Sequence, residues 1–94
     1  MIFSIAYTLK KKAEKYGITP EELMKMYTLQ GGSCRICDAS ITFNVNRVAD
    51  TAQIDHDHKT GRVRGLLCRQ CNVGLGNFRD NVSFLRSAIK YLRE

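Results

Sequence analysis

The sequence has no run approaching the ~18 consecutive apolar residues that a membrane span requires, so no membrane partner is expected. Its apolar start, Met1-Ile2-Phe3-Ser4-Ile5-Ala6-Tyr7, lacks the leading positive charge and the small-residue cleavage site of a signal peptide. There is no internal repeat, low-complexity tract or interdomain linker, and 94 residues make one small domain. No cysteine stands outside two Cys-x-x-Cys pairs, which account for all four. These absences together lead to the expectation of a soluble protein of a reducing cytosol.

The two pairs, Cys34 with Cys37 and Cys68 with Cys71, form knuckles whose two-residue gap lets a tight turn present both sulfurs to one ion. Four such thiolates make a tetrahedral zinc site. A thioredoxin-type redox motif would need only one pair in a βαβ context, and structural disulfides would need an oxidising compartment. A core of this size is marginal without reinforcement, and structural zinc, with an apparent ~10 to 16 kcal/mol, supplies it. The acids number 9 against 15 lysines and arginines, leaving a net charge of +6 that points to a polyanionic partner.

Helical spacing of Ile5, Leu9, Ala13 and Tyr16, with Lys10, Lys11, Lys12 and Lys15 largely off the stripe, predicts a basic amphipathic helix stopped by Gly17. Thr19, Pro20 and Glu22 write a capping box for a second helix, whose Leu23, Met26 and Tyr27 share a face until Gly31-Gly32. From Ala39 to Gln53 a loop or short hairpin is expected, with Ile41, Phe43 and Val45 alternating and Asn44, Asn46 and Asp50 as turn formers. A hairpin follows: strands around Gln53 to His58 and Arg62 to Leu66, joined at Lys59-Thr60-Gly61. A short helix carrying Asn72 then runs to Gly74–Gly76. A last helix, capped by Asp80 or Asn81, carries Phe84, Leu85, Ala88, Ile89 and Leu92 as a stripe expected to pack back over the zinc core.

The chemistry concentrates in Asp55-His56-Asp57-His58 and in Asn72, the neighbour of Cys71. Cleaving a phosphodiester needs an activated water and an electrophile on the phosphate oxygens, which a histidine base and one hard cation can supply. His56 is the candidate base. Asp55 and Asn72 offer the oxygen ligands that magnesium prefers, and zinc would act structurally by holding the helix that carries Asn72. A second zinc site built from His56 and His58 is the main rival. Strand alternation places His56 and His58 on one face and Asp55 on the other, so Asp55 and His56 converge only if the strand ends or bends there. Lys59, Arg62, Arg64 and Arg69 flank the cluster as candidate phosphate contacts, with Arg62 and Arg64 at alternate positions. No helix looks like a major-groove reader, so backbone or shape recognition is expected rather than sequence specificity.

The order Cys34-x-x-Cys37, Asp55-His56-Asp57-His58, then Gly65-Leu66-Leu67-Cys68-x-x-Cys71-Asn72 closely resembles the phage recombination endonuclease VII family, within the wider His-Me finger, or HNH, nucleases. The resemblance covers roughly Ser33 to Phe78. It implies a small α+β fold with a zinc-stabilised ββα-metal core flanked by N- and C-terminal helices. His56 would then be general base, Asp55 and Asn72 would hold magnesium or manganese, His58 would assist near the scissile phosphate, and the four cysteines would bind zinc. The family cuts DNA, and its best-known activity resolves branched junctions as an intertwined dimer. Two departures bear on this: Leu75 stands where the junction-resolving member has an acid, and that member has a long C-terminal extension. An endonuclease nicking duplex DNA is therefore expected, as monomer or homodimer, with a branched-DNA resolvase and a non-catalytic zinc-dependent nucleic-acid-binding module as alternatives. A protein-interaction domain built on the helices is a remoter one. The expected organisation is a basic helical segment over 1–32, the nuclease core over 33–78 and the C-terminal helix over 79–94.

Overall fold

A basic amphipathic segment opens the fold: helix α1 (Ile5–Tyr16) buries Leu9 and Ala13 and leaves Lys10, Lys11 and Lys15 exposed. The computed structural model describes residues 5–43 and 50–94, and the side chains of 5–8 fall outside that description. The expected place of Ile5 on the stripe, and those of Asn44, Val45 and Asn46 in a strand or turn, thus lie outside the described residues. Gly17, at φ 71°, ends α1 in the left-handed region, and the Ile18 N–H donates back to the Ala13 carbonyl at 3.1 Å. Helix α2 (Pro20–Leu29) starts as its capping box requires: the Glu22 N–H donates to Thr19 Oγ1 at 3.0 Å and the Thr19 N–H to Glu22 Oε1 at 2.9 Å. Leu23 is fully buried and joins Leu9 and Ala13 in the core.

Beyond Gly31 and Gly32, both left-handed, the chain crosses the core without a regular strand among the described residues. Ile41 and Phe43 are buried, with Tyr27 donating its hydroxyl to the Ile41 carbonyl at 2.9 Å and lying ring to ring with Phe43. Single bridges, Ser33 to Ser40 and Thr42 to Thr51, replace the extended pairing that alternation alone suggests.

Strands β1 (Gln53–His56) and β2 (Val63–Leu67) pair antiparallel and carry Ile54, Leu66 and Leu67 into the core. The first strand ends at His56 rather than His58 because Asp57 begins the turn. Its Oδ1 accepts the N–H groups of Lys59 and Thr60 at 2.8 and 3.2 Å, and its carbonyl accepts that of left-handed Gly61. Gln30 closes the other edge of β2, since its side-chain amide donates to the Leu66 carbonyl at 2.9 Å and accepts the Leu66 N–H at 3.0 Å. One side chain thus does for Leu66 what a third strand would do.

Helix α3 (Arg69–Asn77) follows β2 directly, and helix α4 (Val82–Arg93) is capped by Asn81, whose side chain accepts the Phe84 N–H at 3.0 Å. The molecule is therefore a small α+β fold, with four helices and one two-stranded sheet among the described residues. Helix α4 departs from expectation. It contributes no buried residue, and Phe84, Ile89 and Leu92 stay exposed instead of packing over the cysteine core. The stripe is genuinely amphipathic, but Arg79 and Asp80, both left-handed, turn the chain before α4 begins. Among the described residues no helix is long and apolar enough to cross a membrane.

Candidate active site and metal centre

The two knuckles meet. Ligand atoms of Cys34, Cys37, Cys68 and Cys71 all lie within 4.8 Å of one another, a cluster that can hold a metal ion. A tetrahedral zinc with bonds of about 2.3 Å sets its sulfurs about 3.8 Å apart; Cys37 Sγ and Cys68 Sγ stand 3.7 Å apart. Local backbone prepares the sulfurs for negative charge, with the Ile36 N–H aimed at Cys34 Sγ and the Cys71 N–H at Cys68 Sγ, each at 3.4 Å. Burial pushes the Cys34 thiol up, but neighbouring backbone groups, led by that of Cys37, outweigh it and bring the thiol down to about 6. Burial and the adjoining sulfurs push Cys71 the other way. One thiolate therefore opposes the next, and four together call for a cation. Cys68 also caps α3, so the same residue that offers a sulfur fixes where that helix starts.

The first knuckle is tied to the sheet as well. The Arg35 N–H donates to the Leu66 carbonyl at 3.1 Å, and its guanidinium Nη1 donates to the Arg64 carbonyl at 2.9 Å. The cysteine cluster, the first knuckle, β2 and the first turn of α3 thus form one connected unit. Asn72 sits in that first turn beside Cys71, half-buried, and its side-chain amide makes no hydrogen bond among the described residues.

At the C-terminal end of β1 the ladder is irregular. Asp55 pairs with Gly65 but His56 pairs with Val63, so Arg64 is the residue the register skips. The slip falls between Asp55 and His56, and the opposite-face rule for neighbouring residues, which assumes a regular ladder, does not carry across it. His56 contacts two rings: His58, with centroids 4.7 Å apart, and Tyr16 from the end of α1, at 5.2 Å. His58 itself is exposed.

Asp55 is the buried charged residue among those described, at 9 % exposure. Arg64 faces it side-on, Nε donating to Oδ2 at 2.7 Å and Nη2 to Oδ1 at 3.0 Å. The same guanidinium reaches Asp80, with Nη1 to Oδ2 at 2.9 Å and Nη2 to Oδ1 at 3.0 Å. The hydrogen bonds to Asp55 and then Asp80 hold Arg64 well above its ordinary range, and Arg64 in turn holds the Asp80 carboxyl below the usual carboxylate value. Arg64 is thus spent on two carboxylates. Arg62 lies ahead of β2, so the two arginines do not alternate along one strand.

Lys59, Arg62 and Arg69 are exposed. An open groove of about 590 Å³ is lined by Asp57, His58, Lys59, Arg64, Arg79 and Asp80 among others. Sequence reasoning missed Tyr16 and Asp80 as neighbours of the site. Tyr16 read as one more core position on a stripe and Asp80 as a helix cap; neither pattern signals a contact across 40 or 16 residues of chain.

The family model described as recombination endonuclease VII matches residues 9–94. The "Gene 59 protein" of Mycobacterium phage D29 is 49% identical over 80 residues, covering 84% of this chain and 46% of that protein. Its namesake from Mycobacterium phage L5 is 47% identical over 78 residues, covering 82% of this chain and 44% of the relative. The chain spans less than half the length of these relatives.

Proposed function

We propose, from the premise that this chain belongs to the recombination endonuclease VII family, that it is a metal-dependent DNA endonuclease of the His-Me finger, or HNH, type. On this reading β1, β2 and α3 are the ββα-metal core, residues 33–78 the nuclease core of a single domain, and the four cysteines a structural zinc site. The observation that carries it is the run of consecutive elements with Asp55 and His56 at the C-terminal end of β1 and Asn72 in the first turn of α3, next to Cys71 of the cysteine cluster.

The donor set fits a hard divalent cation, magnesium or manganese. Asp55 keeps further lone pairs on both oxygens beyond those Arg64 occupies, and Asn72 has an uncommitted amide oxygen. Such a cation polarises a phosphate oxygen and stabilises charge building on the leaving group. His56 takes a proton from the attacking water, and its ring packs against those of Tyr16 and His58. His58 lines the groove, where it assists near the scissile phosphate. Lys59, Arg62 and Arg69 are exposed where they can meet the flanking DNA backbone, while Arg64 is engaged within the protein.

The test is relaxation of supercoiled plasmid by zinc-loaded protein with magnesium or manganese, His56→Ala alongside. Open circle from the wild type and a ~10² to 10⁴-fold slower variant that keeps zinc and DNA binding are the expected results. Equal cleavage by His56→Ala would sink the assignment, and binding without any cleavage would leave a zinc-dependent binding module. The word recombination in the family's description favours a second substrate, branched DNA, read by giving the same proteins a four-way junction.

A further inference from the structure

A carboxylate as enclosed as Asp55 needs a counter-charge, and the bulge supplies it. Because the register skips Arg64, the side chain of that residue is re-aimed from the ladder toward Asp55. Contact through Nε and Nη2 to both oxygens fixes the carboxylate plane, which one hydrogen bond would leave free to rotate. Arg64 is itself more than a third exposed and carries a long, flexible stem, so something must hold it.

Asp80 does so. It takes Nη1 and shares Nη2 with Asp55, so Nη2 bridges the two carboxylates. Asp80 reaches that position through an unusual turn: Arg79 and Asp80 both sit in the left-handed region, at φ 57° and 58°, and the Asp80 N–H returns to the Leu75 carbonyl at 2.8 Å. Successive non-glycine residues in that region persist where surroundings over-determine them, and they cluster at functional sites.

We propose that Asp80 and Arg64 form a positioning relay for Asp55: Arg64 sets the orientation in which Asp55 meets the divalent cation, and Asp80, from the turn between α3 and α4, holds Arg64. The relay rests on the assignment of Asp55 as a ligand made above. Hydrogen-bonding partners of ligating groups commonly govern metal affinity by 10- to 100-fold.

The experiment is a manganese titration of zinc-loaded protein, with free Mn²⁺ followed by electron paramagnetic resonance, for wild type, Asp80→Asn, Arg64→Met, Arg64→Lys and Asp55→Asn. Asp80→Asn and Arg64→Met should each weaken Mn²⁺ binding by about tenfold or more at unchanged zinc content, with Arg64→Lys recovering part of the loss. Before any manganese is added, the Arg64 Nε–H proton should give a protected NMR resonance in the wild type that exchanges rapidly in Asp80→Asn. Asp80→Asn is near-isosteric and partly exposed, so it carries the test if Arg64→Met fails to fold. Wild-type or tighter Mn²⁺ binding by Asp80→Asn, with Asp55→Asn abolishing it, would overturn the relay alone; tighter binding would mean that Arg64 competes with the cation. Unchanged binding in Asp55→Asn would overturn the metal reading and the relay with it.

Discussion

The hairpin with its cysteine cluster is poorer in apolar residues than the C-terminal helix, yet it is the hairpin that enters the core. In the first, Ile54, Leu66, Leu67 and Cys68 are buried, and Gln30, Arg35 and Arg64 stitch β2 to its neighbours. In the second, Phe84, Ile89 and Leu92 share a helix with Arg86, Lys90 and Arg93 and bury nothing. Apolar periodicity says which face of an element would go inside, but not whether an inside is available. The hairpin has one because two knuckles 31 residues apart in sequence are brought to the same place, while α4 leaves the core through a turn whose Asp80 reaches back to Arg64.

Removing the metal breaks the comparison most severely. If zinc holds the cysteine unit together, a strong chelator or Cys68→Ala removes an apparent ~10 to 16 kcal/mol. The cooperative thermal transition should vanish, leaving α4 with no folded partner to differ from. Far-UV circular dichroism during a melt, with zinc content measured on the same sample, checks this. A cooperative transition at full height without zinc would show that the core stands on packing alone.

The next effect compares like with like. Leu66→Ala opens a cavity at a fully buried position and should cost about 2–5 kcal/mol in a denaturant titration. Leu92→Ala, at 79 % exposure, should stay within about 0.5 kcal/mol. Equal losses at the two leucines would mean that α4 is covered in solution.

How much of this was legible beforehand follows from the range of each interaction. The knuckles and the capping box at Thr19 are written in residues two or three apart, and each forms where the spacing puts it, whereas the turn expected at Lys59-Thr60-Gly61 begins two residues earlier because the Asp57 side chain organises it. The register slip at Arg64 was not legible, because a bulge depends on what both strands must accommodate. Here Gly65 lies so close to Arg35 and Gln30 that a Cβ would stand 3.1 Å from Arg35 Cδ. Asp80 was visible as a polar residue before a helix, and Asn81 turned out to be the cap, freeing Asp80 for Arg64. The docking of α4 was read from its stripe alone, and a stripe carries no information about the turn preceding it.

The smallest expected effect separates the regions by their helix caps. Thr19 and Asn81 perform the same local task, each accepting an N–H from the third residue onward at 3.0 Å. Thr19→Ala should cost about 1 kcal/mol of global stability, because α2 is locked to the core through Leu23 and cannot fray alone. Asn81→Ala removes an equal cap from a helix of 12 residues, and isolated helices of that length are marginal in water. Its cost should therefore fall on α4 alone: faster amide exchange over Val82–Arg93 with the midpoint of global unfolding unmoved. Hydrogen exchange read residue by residue distinguishes the two. A global destabilisation from Asn81→Ala matching that from Thr19→Ala would show that α4 folds and unfolds with the core.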